Sequence, residues 1–217
     1  MQPSPQRTAD DSLGSRTGGV TLVEVLIVVV LIGILGSITI PTYLKDRPAA
    51  DVRDAAAELA NVLQNARFRA VSLKRPVYVE FEPDGEEGFY TAYVDLDSDP
   101  STVPTGTASE IAATDIPFPD QASGQRGNRL PEGVEFDLGG STSSPDEEAS
   151  TPTDPIDLPS NPIVFLPRGV VRWPAGSTIP SGGVYVSHRQ NGSYVNSVLI
   201  RPTGLIRNYQ WTGGGWR

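Results

Sequence analysis

The sequence predicts an α+β fold, a long N-terminal helix packed on an antiparallel β-sheet domain, and three observations predict it. Residues 20–40 form an apolar run in which Glu24 is the only charge. Apolar residues then recur at helical spacing as far as Leu73, and beyond Pro76 the period drops to two.

The apolar run holds 15 Val, Leu or Ile. At about 0.3–0.6 kcal/mol each they outweigh the roughly 2.5–3.5 kcal/mol cost of one acid at the bilayer centre, so insertion stays favourable. Eleven of the 15 are β-branched. They make an indifferent helix in water, but lipid leaves backbone groups no partners except those within a helix. Residues 20–44 would extend about 37 Å at 1.5 Å per residue, enough to cross the hydrocarbon core. A secretory signal peptide would have a shorter core and a small-x-small cleavage site, whereas this run leads into SITIPTYLKD. A plain anchor accounts for the hydrophobicity but leaves Glu24 and the preceding Gly18-Gly19 unexplained, and an ionisable residue in lipid is functional by default.

In the next segment Val52, Ala55, Ala56, Leu59, Val62, Leu63, Ala66, Ala70 and Leu73 share one helical face. Pro48 suits the first turn of a restarted helix and Pro76 stops it. Arg67, Arg69, Lys74 and Arg75 near its end suit the helix dipole in a solvated role. VYVEFE at 77–82 and FYTAYVD at 89–95 alternate around the turn PDGEEG, which reads as a hairpin. Further strands are expected at 134–138, 163–166, 170–173, 184–188, 195–201 and 205–211. The stretches 98–131 and 139–162, rich in Ser, Thr, Pro and acids, read as flexible acidic loops, with GGSTSSPDEEASTPTD mobile.

With 20 Pro and 22 Gly the chain supports one modest folded domain, and with no Cys it has neither disulfides nor thiolate metal sites. A net charge of −9 argues against a general nucleic-acid binder. The charge is unevenly distributed: residues 76–162 carry 19 acids against Arg126 and Arg129, and residues 163–217 carry six Arg and no acid. No catalytic set stands out, and no cofactor is expected. His188, the single histidine, lies on an expected strand without a nucleophile motif and reads as structural. Asp95, Asp97 and Asp99 alternate as Ca²⁺ ligands would, yet the turn Gly is missing and position twelve is Gly106, so the run is either a cation loop outside the EF-hand pattern or a solvated acidic loop. At the basic end Arg201, Arg207 and Arg217 are interleaved with Tyr209, Trp211 and Trp216. That pattern suits backbone-directed contact with DNA, or else arginines that offset acids in the fold or on a neighbouring subunit.

Gly19 followed by VTLVEVLIVVVLIGIL resembles the class III signal of type IV pilins and type II secretion pseudopilins. The resemblance implies that prepilin peptidase cuts after Gly19, leaving Val20 as a methylated N-terminus and Glu24 as the fifth residue. Glu24 would then pair with the first α-amino group of a neighbouring subunit. Pro41 falls where pilins place a helix-loosening proline, and Gly33 and Gly36 permit close helix packing. The hairpin after the helix, IVFLPRG with Phe165, Pro167 and Gly169, and SVLIRPTGLIR are similar to the GspH/FimT group of minor pseudopilins. The implied organisation is a leader at 1–19, a transmembrane and amphipathic helix at 20–75, and a periplasmic or extracellular β-rich domain at 76–217. The implied protein is a non-catalytic subunit, single-pass in the bacterial inner membrane, that enters an envelope-spanning type II secretion pseudopilus or type IV pilus. Its partners would be other pilin or pseudopilin subunits, prepilin peptidase, the inner-membrane assembly platform and the lipid bilayer. Two alternatives stand beside it: a DNA-binding minor pilin, as in FimT-like pilins that take up DNA, and a simple membrane-anchored periplasmic binding domain.

Overall fold

A computed structural model describes residues 20–84, 87–94, 116–118, 128–147, 149, 151–173 and 180–217, leaving aside the side chains of 36, 38–46, 84, 87 and 116–118. Contacts divide the chain into two units, residues 1–44 and 45–217. One helix, α1 (Leu22–Leu73), is assigned across both. In the first unit Thr21 stands before the helix and accepts a hydrogen bond at Oγ1 from the Glu24 N–H (3.2 Å), the bond an N-cap threonine makes. Among the described residues no helix is long and apolar enough to cross a membrane. The expected span reaches into 36 and 38–46, and that part lies outside the described side chains. The restart expected at Pro48 is corrected, because α1 is one element that includes both Pro41 and Pro48.

In the second unit the helical face read from the sequence is the buried one: Val52, Ala55, Ala56, Leu59, Val62, Leu63, Ala66 and Ala70 enter the core. Leu73, placed on that face by its spacing, is instead exposed at the last helical position. Alanines at four of those positions add little bulk, so Phe81, Tyr90, Phe136 and Phe165 from the strands can close on the helix. The Tyr90 hydroxyl donates to Glu58 Oε1 at 2.6 Å. Burial first, then the hydrogen bond and charge of Glu58, hold that hydroxyl well above its ordinary pKa.

The strands make two antiparallel sheets, where the sequence suggests one. The first contains β1 (Val77–Asp84), β2 (Glu87–Val94), β3 (Ile116–Phe118), β4 (Asn128–Arg129) and β7 (Ile163–Phe165), in the order β3-β2-β1-β7 with β4 also on β2. The second contains β5 (Val134–Phe136), β6 (Ile156–Asp157), β8 (Gly182–His188), β9 (Asn191–Ile200) and β10 (Ile206–Gln210), in the order β10-β9-β8-β5 with β6 also on β8. The expected hairpin is present, with Val77 opposite Val94 and Asp84 opposite Glu87. Alternation divides β1: Val77, Val79 and Phe81 face the helix, while Tyr78 turns to the far face and stacks on Tyr93 with ring centroids 5.2 Å apart. Where β7 gives out, Asn161 continues its pairing with a side chain. Its amide accepts from the Phe81 N–H (3.0 Å) and donates to the Phe81 carbonyl (2.7 Å), the two bonds a strand residue would make there.

Three further expectations from the sequence need correction. Residues 170–173 do not form a strand, because only Val171 makes a bridge, to Phe165. The stretches read as loops contribute β3, β4 and β6 to the sheets. The described part of 139–162 is fastened to the fold: Gly140 N–H bonds to the Gly192 carbonyl (2.7 Å), Arg201 Nη2 pairs with Asp146 Oδ2 (3.1 Å), and Trp216 Nε1 donates to the Ser143 carbonyl (2.8 Å). Composition hid this because the partners lie 50 or more residues downstream. The segment covers the outer side of β8, which is why that strand is buried at every position. Burial there raises the Tyr185 pKa.

The Asp146 side chain is only 5% exposed, and Arg201 supplies a charged partner to its carboxylate. Arg201→Gln should cost about 1–2 kcal/mol, discounted because the arginine is half exposed, and should speed amide hydrogen exchange at 140–147 roughly tenfold while leaving β1 unchanged. Unaltered exchange in 140–147 would show that the pair does not hold the segment.

Candidate functional site

Two regions carry the functional residues, each within one unit. In the first, Glu24 lies in the opening turn of α1 and is exposed, as are the apolar side chains of Val20, Leu22, Val23 and residues 25–32. Thr21 makes the helix begin here, and the start places Glu24 where the helix N-terminus favours an anion. The side chains around it form a sleeve of Val, Leu and Ile that nothing within the unit covers among the described residues. Gly19 lies outside the described residues, as do Asp95, Asp97 and Asp99 of the candidate Ca²⁺ loop.

The second region is built by two tight turns and one arginine. In the turn after β7 the Gly169 N–H bonds to the Leu166 carbonyl, and in the turn after β9 the Gly204 N–H bonds to the Arg201 carbonyl, each at 2.8 Å. The turns are tied by the Val171 N–H on the Pro202 carbonyl (2.9 Å). Gly169 and Gly204 have φ of 77° and 79°, a conformation that glycine adopts freely. At Gly204 a Cβ would fall on the Gly169 carbonyl oxygen and 2.8 Å from Arg67 Nε, so only a bare backbone lets the turns stack. From the helix Arg67 Nε donates to that same Gly169 carbonyl at 2.8 Å. The solvated dipole role read for Arg67 is therefore corrected, and the last turn of α1 holds no basic residue. Around this clamp lies a cavity of about 390 Å³, lined by Gln64, Arg67, Phe68, Val71 and by 168–169 and 204–206 of the turns.

The residues considered for DNA are distributed differently. Trp211 is buried and meets Trp216 with centroids 5.2 Å apart, and Trp216 also tilts onto Tyr185 at 5.8 Å. Both rings thus make aromatic contacts within the fold. Arg201 is committed to Asp146. Arg207 and Arg217 are exposed, and the backbone of Arg217 pairs with Gln210 through bonds of 2.8 and 3.0 Å. His188 is buried at the end of β8, where its Nδ1 accepts from the Gln190 N–H at 3.2 Å. Sequence reasoning missed the Arg67 clamp. The signal was present in the glycines of LPRG and RPTG, but the arginine they meet is about a hundred residues earlier.

Residues 55–204 match the family described as Type II transport protein GspH. No curated protein matches the chain. Solved structures similar to the chain include two of the minor pseudopilin EpsH from the type II secretion system of Vibrio cholerae. One has 12% identity and a TM-score of 0.40, covering 76% of this chain and 98% of that one. The other has 15% identity and a TM-score of 0.37, covering 76% of this chain and 96% of that one.

Proposed function

Since the chain belongs to the GspH family of type II transport proteins, we propose that it is a minor pseudopilin that matures by cleavage after Gly19 and joins a secretion pseudopilus through its N-terminal helix. The observation that carries this reading is the pairing of a single acid, Glu24, in the first turn of α1 with an uncovered sleeve of Val, Leu and Ile. An exposed apolar surface of this size marks contact with lipid or with other helices. An acid within it is tolerated where a cation meets it, and the α-amino group created at Val20 of a neighbouring subunit is such a cation. Before assembly the sleeve rests in the inner membrane with residues 76–217 on its outer side; in the filament the same surface packs against other helices. The subunit's role is structural, and its other partners are prepilin peptidase and the inner-membrane assembly platform.

The reading is tested by mass spectrometry of the N-terminus on protein purified from its host. The expected result is a chain beginning at Val20 with a methylated amine. A chain that keeps residues 1–19 would have no α-amino group at Val20 to offer Glu24, and would point to the simple anchored domain instead.

A further inference from the structure

We propose that the outer edge of β10, with the groove beside it, is a docking site for an acidic, extended segment of another polypeptide, taken up as an additional strand. β10 is the last strand of its sheet, and among the described residues no strand pairs with its outer side. The direction of its backbone groups follows from the one place where that side is used. Gln210 exchanges both backbone bonds with Arg217, so Gln210 points outward. By strand alternation Asn208 and Ile206 point the same way, offering donors and acceptors about 7 Å apart. Arg217 thus already adds to this edge at one end, and among the described residues no strand covers the remainder.

The flank facing the edge has a definite character. Arg53 Nη2 bonds to the Gln210 side chain at 3.1 Å, which sets the helix beside β10. By helical spacing Arg53, Ala57, Asn61, Gln64, Phe68 and Val71 lie along that flank, and none is acidic. At its far end the cavity around the Arg67 clamp exposes Phe68 (70%), Val71 (39%) and Leu205 (39%), with Arg168 on its rim. A segment bonded to Asn208 and Ile206 would send alternate side chains toward this flank. Acidic ones meet Arg53 and Arg168, and an apolar one fills the space by Phe68 and Leu205. Backbone pairing supplies affinity and the alternate pockets supply selectivity, as in other strand-addition sites. A nucleic acid would use the arginines and leave the open backbone groups and the apolar floor unused, which favours a polypeptide. The inference does not depend on cleavage after Gly19.

The test uses the full chain in detergent micelles and three fluorescein-labelled nine-residue peptides: a Glu/Val peptide with Glu, Val and Glu at successive alternate positions and Thr elsewhere, the same sequence with Lys in place of Glu, and the Glu/Val sequence with a central Pro. Anisotropy should show binding of the first only, because the second reverses the charge and the third cannot complete the strand pairing. Phe68→Ser and Arg168→Glu change exposed side chains, and each should weaken binding at least tenfold with circular dichroism unchanged. Equal binding of the Pro peptide, or no effect of either variant, overturns the proposal. So does failure of the Glu/Val peptide to bind when the chain self-associates through Phe68, which would assign the face to a second copy, or when a thymidine oligonucleotide binds with dependence on Arg168, which would assign it to DNA.

Discussion

Replacing Glu24 with Ala is expected to leave the protein in the membrane fraction and remove it from sheared or cross-linked filaments. Two effects of the carboxylate must be separated. As an anion in the first turn it stabilises the helix by about 0.3–1 kcal/mol, at most a few-fold in any population. As half of an ion pair in lipid its removal strands the partner amine, at a cost of about 3–5 kcal/mol, or roughly a hundredfold to several thousandfold in incorporation. Incorporation reduced only two- or threefold would therefore mean that the dipole is the whole of its role. Membrane insertion should improve slightly, since a charge is lost from a sleeve that already inserts. Glu24→Gln, which keeps the shape without the charge, should behave like the Ala variant. A normal filament content for either variant would remove the pairing.

The parts of the fold visible in the sequence were those set by local period. The buried face of α1 from Val52 to Ala70 and the β1–β2 hairpin follow from side-chain spacing that any segment carries within itself. The parts that were hidden depend on distant partners. Residues 139–147 look mobile by composition because none of them is a large apolar residue, yet Arg201 and Trp216 arrive from the far end to fasten them. Those same residues were candidates for DNA because arginines and aromatics interleave, and the structure instead engages Trp216 with Trp211, Tyr185 and Ser143. The three short strands β3, β4 and β6 have two or three residues each, below the length at which alternation can be recognised. At the sites the pattern is similar. Glu24 stands out because an acid is conspicuous among Val, Leu and Ile, whereas Arg67 is one of several arginines on an exposed helix until Gly169 and Gly204 are brought to it.

Gly204→Ala should be the most damaging single methyl group added to the β-rich unit. A positive φ costs a non-glycine residue about 1–2 kcal/mol. At Gly204 that cost is the smaller part, because the new Cβ would occupy the place of the Gly169 carbonyl oxygen. The two turns would have to separate, and the Arg67 bond to that oxygen, a charged hydrogen bond contributing about 1.5–3 kcal/mol, would go with them. The sum is roughly 3–5 kcal/mol, which in a unit of this size corresponds to a fall in Tm of about 6–20 °C. Gly213 supplies the control, with a φ of 82° and nothing within 4 Å of its would-be Cβ. Gly213→Ala carries the backbone cost alone and should lower Tm by only about 2–8 °C. Thermal unfolding of the full chain in detergent, followed by circular dichroism, compares the two directly. Equal shifts would mean that backbone conformation alone explains the glycine at 204, and that the stacking of the two turns under Arg67 contributes nothing to stability.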